Sequence, residues 1–375
     1  MKLKSLIYKA SNTALYISKD TAQIVPKYSC YRHIRLLALA AFVLCISACS
    51  DSSNAQLNSY GQRLENLSGQ QRIITVTKTS PHQPRVAELR LSLPQVSISL
   101  LDSFRLSECR LGQLIAERNS SLGKVMTPAN QLYYEIQVTR AIQECLSTAE
   151  QISVNLRTEL EQALATKEAA LPLAVHNFLT TDDIWRSNFR VAHSSLPMST
   201  ADDFTHTMAA LNYFAHTLTI VVTNPYQPEL NLNLWQEHLE ALNRSRFLSA
   251  YWHTLATVPK ELDSLTELLQ RTTEHISCSH IARPQQAEYL HNVMLNIYIA
   301  QLQPVFARWV HYEQQLTPVL SQLLNLTRGN AWQDYVQQLG YAPTSALQHS
   351  SRLHAEQWQA LLQKCRLSPA GNESN

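Results

Sequence analysis

The chain has 375 residues, of which 45% are hydrophobic and 16% are charged, and this balance excludes an intrinsically disordered protein. Seven glycines and 15 prolines are few turn-forming residues for this length, so the composition favours long helices and an all-α fold. The formal net charge is +2 for the whole chain, but residues 49–375 hold 24 basic and 28 acidic residues. We therefore expect no basic face and no nucleic acid partner.

The first patterned segment lies near the N-terminus, where basic residues precede an uninterrupted apolar run over residues 36–46. Small residues follow as far as Ala48, and Cys49 comes next. This order of regions is that of a secretory signal peptide, and the apolar run is too short to span a bilayer. We expect cleavage after Ala48, so that residues 1–48 form a leader and signal peptide.

The tetrapeptide Ile46-Ser47-Ala48-Cys49 resembles the bacterial lipobox. In lipoproteins with this motif the cysteine thiol carries diacylglycerol and the new amino group is acylated. The resemblance implies lipid attachment at Cys49, and three acyl chains would hold the protein on a membrane without a transmembrane helix. Ser50 implies the outer membrane, facing the periplasm, whereas Asp51 keeps the inner membrane as the alternative. An ordinary signal peptide with an incidental cysteine is the other alternative.

The chain from Cys49 onward is predicted to divide into two segments. Residues 49–56 are predicted to form a polar tether, and residues 57–375 a single irregular helical domain that opens with a short helix over residues 57–67. The segment 71–94 contains three prolines, which is typical of an extended segment lying across other elements. A strand is possible only in this segment.

Beyond this segment the apolar residues recur with the helical period. From Phe204 to Val222 they are spaced by three and four residues, which predicts a buried helix. Pro259 is expected to open another helix, because proline is tolerated at a first helical turn. Pro304 is expected to kink or restart a helix, and the last helix should cover residues 347–365. The longest break between helices is expected at residues 224–228.

The cysteines indicate an oxidising compartment. Two of the seven leave with the leader, Cys49 is assigned to the lipid, and four remain at Cys109, Cys145, Cys278 and Cys365. Outside the cytoplasm four cysteines are expected to form two disulfides. Three pairings are possible. We predict the two that join near neighbours in sequence, the first cysteine with the second and the third with the fourth.

A polar cluster interrupts the helical pattern at residues 117–126. It contains Ser121-Leu-Gly-Lys124, the spacing by which penicillin-recognising serine enzymes pair a nucleophile with a lysine. In those enzymes the serine opens a buried helix, whereas Gly123 and the following Thr-Pro would end a helix here, which leaves Lys124 in a turn. The companion motifs are matched only loosely. We therefore assign no catalytic residue, and an envelope serine hydrolase using Ser120 or Ser121 with Lys124 is the alternative.

A helix C-terminus explains the same cluster without catalysis. Polar side chains there hydrogen-bond free carbonyls and the turn backbone, and Gly123 supplies a positive φ. Glu117 and Arg118 could then pair within a buried polar network. Because polar residues at a helix end beside a disulfide are held rigidly, we predict a binding site there. Its candidate residues are Glu117, Arg118, Asn119, Ser120, Ser121 and Lys124.

Other groups with chemical potential have simpler explanations. His275, Cys278 and His280 combine ligand types that suit zinc, but their spacing matches no common zinc finger and Cys278 is expected in a disulfide. We predict no metal and no cofactor. The acidic pairs Asp182-Asp183 and Asp202-Asp203 stand where helices begin, so capping and the helix dipole explain them.

The run LIAERNSSLGKV at residues 114–125, which follows Cys109 and lies behind a lipobox, resembles the bacterial lipoproteins grouped as domain-of-unknown-function family 3080. The resemblance covers nearly all of the chain after the leader. It implies the compartment and a single domain, and it implies no reaction, ligand or catalytic residue. We expect a non-enzymatic lipoprotein that binds a partner of the cell envelope. A carrier of an apolar ligand between helices is a weaker alternative.

Overall fold

The computed structural model describes residues 53–73, 81–96, 109–120, 125–148, 153–201, 203–226, 230–279, 284–342 and 345–368. Within these ranges the chain forms a single helical domain that contains no β-strand, which confirms the predicted all-α fold. None of the described helices combines the length and the apolar character that crossing a bilayer requires. The predicted signal peptide and lipobox lie outside the described residues.

Helices make up most of the described residues. In chain order they are α1 (Ser53–Ser68), α2 (Val86–Leu89), α3 (Arg110–Asn119), α4 (Pro128–Thr148), α5 (Val154–Thr181), α6 (Asp183–Asn188), α7 (Phe204–Thr223), α8 (Leu232–Arg244), α9 (Phe247–His275), α10 (Gln285–Val293), the π-helix (Met294–Leu302), α11 (Gln303–Asn325), α12 (Ala331–Gln338) and α13 (Ala346–Cys365). The helices predicted from Phe204 and over residues 347–365 are confirmed as α7 and α13. The first helix begins at Ser53, inside the segment predicted as a tether.

Most of these helices pack around one large apolar core. The longest, α9, lies along α13, and α1, α7 and α11 pack against the same assembly. All six tryptophans of the chain are buried in this core, at positions 185, 235, 252, 309, 332 and 358. Burial of each apolar side chain contributes roughly 1.5–3 kcal/mol relative to exposure, and the large aromatic rings contribute most. The large core therefore accounts for most of the stability of the fold.

A second, smaller core lies at one end of the antiparallel pair α4 and α5. It is formed by α3, the C-terminal half of α4 and the N-terminal half of α5, whereas the opposite halves of α4 and α5 contribute to the large core. We call it the distal core. Its buried side chains are Leu111, Leu114, Val138, Ala141, Ile142, Cys145, Leu156, Leu160 and Ala163. The Cys109–Cys145 pair fixes the start of α3 on α4.

Side chains of α5 and α6 hold the segment 81–96, and no described residue pairs with it as a strand. His176 Nε2 contacts the carbonyl of Leu89 at 2.7 Å. The amide of Asn177 donates to the carbonyl of Leu91 and accepts from its N–H, both at 2.8 Å. Arg186 donates to a third carbonyl of the segment at 2.8 Å. The predicted extended segment is thus confirmed at residues 81–85 and 90–94, whereas the short helix α2 interrupts it between them. The side chains satisfy backbone groups that a sheet would otherwise pair.

Two prolines, Pro172 and Pro259, lie inside helices. Pro259, predicted to open a helix, lies in the interior of α9, so that prediction is wrong. A proline there removes one backbone hydrogen bond, but Val258, Pro259 and Leu262 are buried in the large core and their packing outweighs that loss. Pro172 also lies inside a helix, in the part of α5 that enters the large core.

The helical geometry changes at Pro304, as the sequence predicted. The π-helix ends at Leu302, and Pro304 occupies the first turn of α11. Proline has no N–H, and in an α-helix its ring would clash with the carbonyl four residues earlier, at Ala300. The wider π-helical turn before Pro304 relieves that conflict, and the N–H of Gln303 bonds the carbonyl of Tyr298, five residues earlier.

Asp182 caps α6, as predicted, whereas the Asp203 side chain makes no capping hydrogen bond to α7, the helix that follows it, and Asp202 lies outside the described residues. The carboxylates of Asp182 and Asp203 also join helices that are distant in sequence. The Asp182 carboxylate accepts from the N–H of Ile184, at the start of α6, and from the N–H of Ala129, at the start of α4. Asp203 caps α9 by accepting from the N–H groups of Arg246 and Phe247 at 2.7 and 3.1 Å. Each carboxylate therefore fixes the position of one helix start against another.

A chain of buried polar side chains crosses the large core. Trp358 Nε1 donates to the hydroxyl of Tyr60 at 2.9 Å, and that hydroxyl lies 2.7 Å from His354 Nε2. Thr266 Oγ1 lies 3.0 Å from His354 Nδ1 and donates its only proton to the carbonyl of Leu262. Thr266 must therefore accept from Nδ1–H, and Tyr60 must donate to Nε2. Burial lowers the pKa of His354 to about 3, so its ring is neutral.

Candidate binding site at the end of α3

The predicted polar cluster lies at the C-terminus of α3, which ends at Asn119. Ser120 is the C-cap residue, and both its hydroxyl and its N–H donate to the carbonyl of Glu117, at 2.7 and 3.2 Å. The helix-end explanation of the cluster is therefore confirmed for Ser120. Ser121 and Lys124 lie outside the described residues.

Glu117 and Arg118 point in different directions. Glu117 is exposed and accepts from Gln113 Nε2 at 3.0 Å, one turn earlier. The guanidinium of Arg118 lies 5.8 Å from the ring centroid of Tyr134 on α4. The predicted buried pair of Glu117 with Arg118 is wrong, because consecutive helical residues project about 100° apart. Only Arg118 faces the neighbouring helix.

A pocket of about 320 Å³ lies beside this helix end, between α3, α4 and α5. We call it the α3 pocket. Its volume is at the lower end of the range of about 300–1,000 Å³ that is typical of small-molecule sites. Five aliphatic side chains form its walls, namely Val96, Leu111, Ile115, Val138 and Ile142. Such a pocket favours an apolar group of a ligand.

Polar side chains add charge and hydrogen-bonding groups to the same pocket. Arg118 and Asn119 come from the predicted cluster, whereas Tyr134 and Lys167 come from the neighbouring helices. Burial, followed by the nearby Glu135 carboxylate, raises the pKa of Tyr134 to about 12, although Arg118 partly offsets this rise. Tyr134 therefore keeps its proton at neutral pH and acts as a neutral hydroxyl.

Lys167 forms the best-enclosed ion pair of the described structure. Its Nζ lies 2.6 Å from Glu135 Oε2, and the two side chains are 11% and 8% exposed. Breaking such a pair leaves an uncompensated buried charge, so the pair fixes α5 against α4 in one register. Sequence reasoning missed Lys167 because its partner lies 32 residues away and no local pattern marks either residue. Lys167 and Arg118 are the two cationic side chains among the described residues that line the pocket.

The α3 pocket has the composition of a binding site. Its nine described lining residues include no serine, threonine, cysteine or histidine. The pocket can enclose an apolar group, and its cations can meet an acidic one. Two of the six predicted binding residues, Arg118 and Asn119, line it directly, whereas Glu117 and Ser120 lie exposed at the helix end.

The predicted cysteine pairs are confirmed. The sulfur atoms of Cys109 and Cys145 lie at disulfide distance, and so do those of Cys278 and Cys365. Cys278 is therefore not available as the thiolate ligand of the zinc group considered from the sequence, and His280 lies outside the described residues. Within the described ranges, no three potential metal-ligating side chains are gathered into one group.

Comparison with curated proteins returned no match, and comparison with solved structures returned none. One family model matches residues 57–369, which include α1 from Leu57 onward, every later described helix and all the described lining residues of the α3 pocket. This match confirms the family that the LIAERNSSLGKV run suggested. The chain belongs to the family described as Protein of unknown function (DUF3080).

Proposed function

We propose that the protein is a lipid-anchored lipoprotein of the bacterial cell envelope and that its helical body binds a partner there. The observation that carries the proposal is the pair of disulfide bonds, Cys109–Cys145 and Cys278–Cys365. Disulfides persist outside the cytoplasm and are rare within it. They support export independently of the leader, and residues 46–49 supply the lipidation motif.

The proposed anchor holds the body close to the membrane. Cys49 carries the lipid, and α1 begins four positions later, at Ser53. Four residues span at most about 14 Å when fully extended. The outer membrane, facing the periplasm, is the proposed site because Ser50 follows the lipidated cysteine, and the inner membrane is the alternative. The helical body then lies at the lipid surface, where it can reach envelope proteins.

The α3 pocket is the proposed contact with the partner. Its aliphatic walls favour an apolar side chain, and Arg118 and Lys167 place two cationic side chains in its lining. A segment of an envelope protein that carries an apolar residue next to a carboxylate fits both features. The disulfide at Cys109 holds α3 in place, so the pocket is organised before binding.

Lipidation is tested with Cys49→Ala, and Cys45→Ala in the apolar run of the leader is the matched control. We expect the wild-type and Cys45→Ala proteins in the membrane fraction with the same electrophoretic mobility. The Cys49→Ala protein should leave that fraction or remain unprocessed. Unchanged fractionation and mobility of the Cys49→Ala protein would refute the anchor.

Partner binding is tested by filling the α3 pocket. Ile115→Trp places an indole in the pocket, whereas Ala116→Trp places the same ring on the exposed face of the same helix. We expect a protein crosslinked to the wild type in envelopes to be lost with Ile115→Trp and retained with Ala116→Trp. Recovery of the bait alone from the wild type, or equal recovery from both variants, contradicts the proposal.

A serine hydrolase remains the second candidate from the sequence, and the described structure offers it no support. The hydroxyl of Ser120 donates to the carbonyl of Glu117 at 2.7 Å. We expect that a fluorophosphonate probe and a fluorescent β-lactam leave the purified protein unlabelled. Labelling that is abolished by Ser121→Ala or Ser120→Ala would replace the binding proposal with a catalytic one.

A further inference from the structure

A second pocket lies between α1 and the continuous helix formed by α10 and the π-helix. Its volume is about 330 Å³. We call it the π-helix groove. Four apolar or aromatic residues line its interior, namely Tyr60, Val293, Ile297 and Leu302. This volume also falls within the range of about 300–1,000 Å³ that is typical of small-molecule sites.

Neutral polar side chains form the rest of the groove. They are Gln56, Ser59, Asn292, Asn296 and Gln301. Among the described lining residues Arg63 carries the only formal charge, and none is acidic. A carboxamide presents two N–H donors and an acceptor oxygen, so four carboxamides and one hydroxyl provide donors and acceptors without net charge. The groove therefore suits a ligand that is rich in neutral hydroxyl and amide groups.

The π-helix itself brings part of this lining together. Asn296 and Gln301 are five positions apart, as are Ile297 and Leu302. In an α-helix residues five apart project about 140° from each other, whereas the wider π-helical turn aligns them. The Gln301 amide accordingly donates to the carbonyl of Asn296 at 2.8 Å. The change in helical geometry thus places two carboxamides and two aliphatic side chains on the side that faces α1.

The interior of the groove is held rigidly. Tyr60 is fully buried, and its hydroxyl is fixed between Trp358 and His354 in the polar chain of the large core. One helical turn before Asn292, the ring of Tyr289 is 47% exposed and offers an aromatic face beside the groove. A site with a rigid interior loses little entropy on binding.

We propose that the π-helix groove binds a neutral saccharide chain that carries hydroxyl and acetamido groups. Asn296 and Gln301 each donate one N–H to a backbone carbonyl of their own helix, and the second N–H and the oxygen of each carboxamide match such groups in donor and acceptor capacity. The half-buried side chains of Val293 and Ile297 can contact the C–H faces of a sugar ring. A strongly anionic polymer would require more than one cation, and the groove supplies Arg63 alone among its described lining residues. This inference rests on the groove and is independent of lipidation at Cys49.

The proposal is tested by titrating the full-length protein, purified in detergent, with a hexamer of β-1,4-linked N-acetylglucosamine in a calorimeter. Ser59→Trp fills the groove, and Asn296→Ala removes one carboxamide. The controls are Asn58→Trp and Asn66→Ala, which alter exposed residues of α1 that do not line the groove. Far-UV circular dichroism and the Tm of each variant establish that it is folded.

We expect the wild type and both controls to bind the hexamer with the same affinity, and both groove variants to bind at least tenfold more weakly. Absence of binding to the wild type at millimolar hexamer overturns the proposal, and so does unchanged affinity of the two groove variants. A parallel titration with phosphatidylglycerol vesicles addresses a lipid headgroup. Vesicle binding that is lost with Ser59→Trp, without hexamer binding, would assign the groove to a lipid and also overturn the proposal.

Discussion

Replacing His354 with glutamine should change how the stability of the protein depends on pH. The His354 ring is fully buried and neutral, and burial lowers its pKa from the ordinary value of 6.5 to about 3. Unfolding therefore takes up a proton on this ring between these two pH values. The stability that the neutral ring contributes is fully present above pH 6.5, and it is lost as the pH falls towards 3.

The size of this effect follows from the two pKa values. Each unit of pKa difference corresponds to about 1.4 kcal/mol, so the full loss is about 5 kcal/mol. Between about pH 7 and about pH 4.5 the loss is about 2.5 kcal/mol, because the unfolded ring is largely neutral at the first pH and largely protonated at the second. This intermediate value changes little if the folded pKa lies anywhere below 4.

The assay is urea unfolding of the wild-type and His354→Gln proteins at both pH values, followed by far-UV circular dichroism. The variant loses hydrogen bonds to Tyr60 and Thr266 and should be the less stable protein at neutral pH. Other buried groups with shifted pKa values, such as Asp182 and Glu313, titrate in both proteins and cancel in the comparison. The stability difference should shrink by about 2.5 kcal/mol on acidification. A difference that stays constant would refute the neutral, buried state of His354.

Three further perturbations test the other contacts described above. Cys109→Ser combined with Cys145→Ser opens a bridge between residues 36 apart, and the urea midpoint should fall by the equivalent of about 3–4 kcal/mol; an unchanged midpoint would contradict the bridge. Lys167→Met leaves the Glu135 carboxylate buried without its partner and should cost about 3–5 kcal/mol, most of which Glu135→Leu should restore in a double-mutant cycle. Asp203→Ala removes the cap of α9 and should lower the free energy of unfolding by about 1–2 kcal/mol, and a cost near zero would show that these hydrogen bonds do not stabilise the helix start.

The helices were predictable because their signals are local. The apolar residues of α7 repeat every three or four positions, and α13 shows the same pattern up to Cys365. The disulfides were predictable because loops join neighbours in sequence more readily than distant residues. The helices and the disulfide pairs depend on residues that are near one another in the sequence, so both could be predicted from the sequence alone.

The prolines show where local signals stop being sufficient. Pro259 and Pro304 look alike in sequence, yet one continues an α-helix and the other follows a π-helix. The difference comes from the packing around each residue. The buried neighbours of Pro259 keep α9 helical although one backbone hydrogen bond is missing. No local pattern indicates the π-helix before Pro304, and therefore none indicates the groove that it lines.

Part of the candidate site was predictable, because two of its residues show a local signal in the sequence. Arg118 and Asn119 stood out as polar residues at a helix end, and both line the α3 pocket. Tyr134 and Lys167 reach the pocket only because α4 and α5 pair along their length, which places residues 32 or more apart side by side. The buried pairing of Glu117 with Arg118 was predicted wrongly because the sequence gives the helix but not its rotation about its own axis.

The pairing of α4 with α5 also makes the distal core sensitive to small rotations. Pro172 removes one backbone hydrogen bond from α5 near the point where the helix enters the large core, and such positions bend more readily than the rest of a helix. From Pro172 to the start of α5 at Val154 the helix is roughly 27 Å long. A bend of about 10° at the proline would therefore displace the far end by roughly 5 Å, a distance comparable with the width of a side chain. A bend at Pro172 would therefore move the start of α5 and, with it, the part of the distal core that Leu156 and Leu160 form.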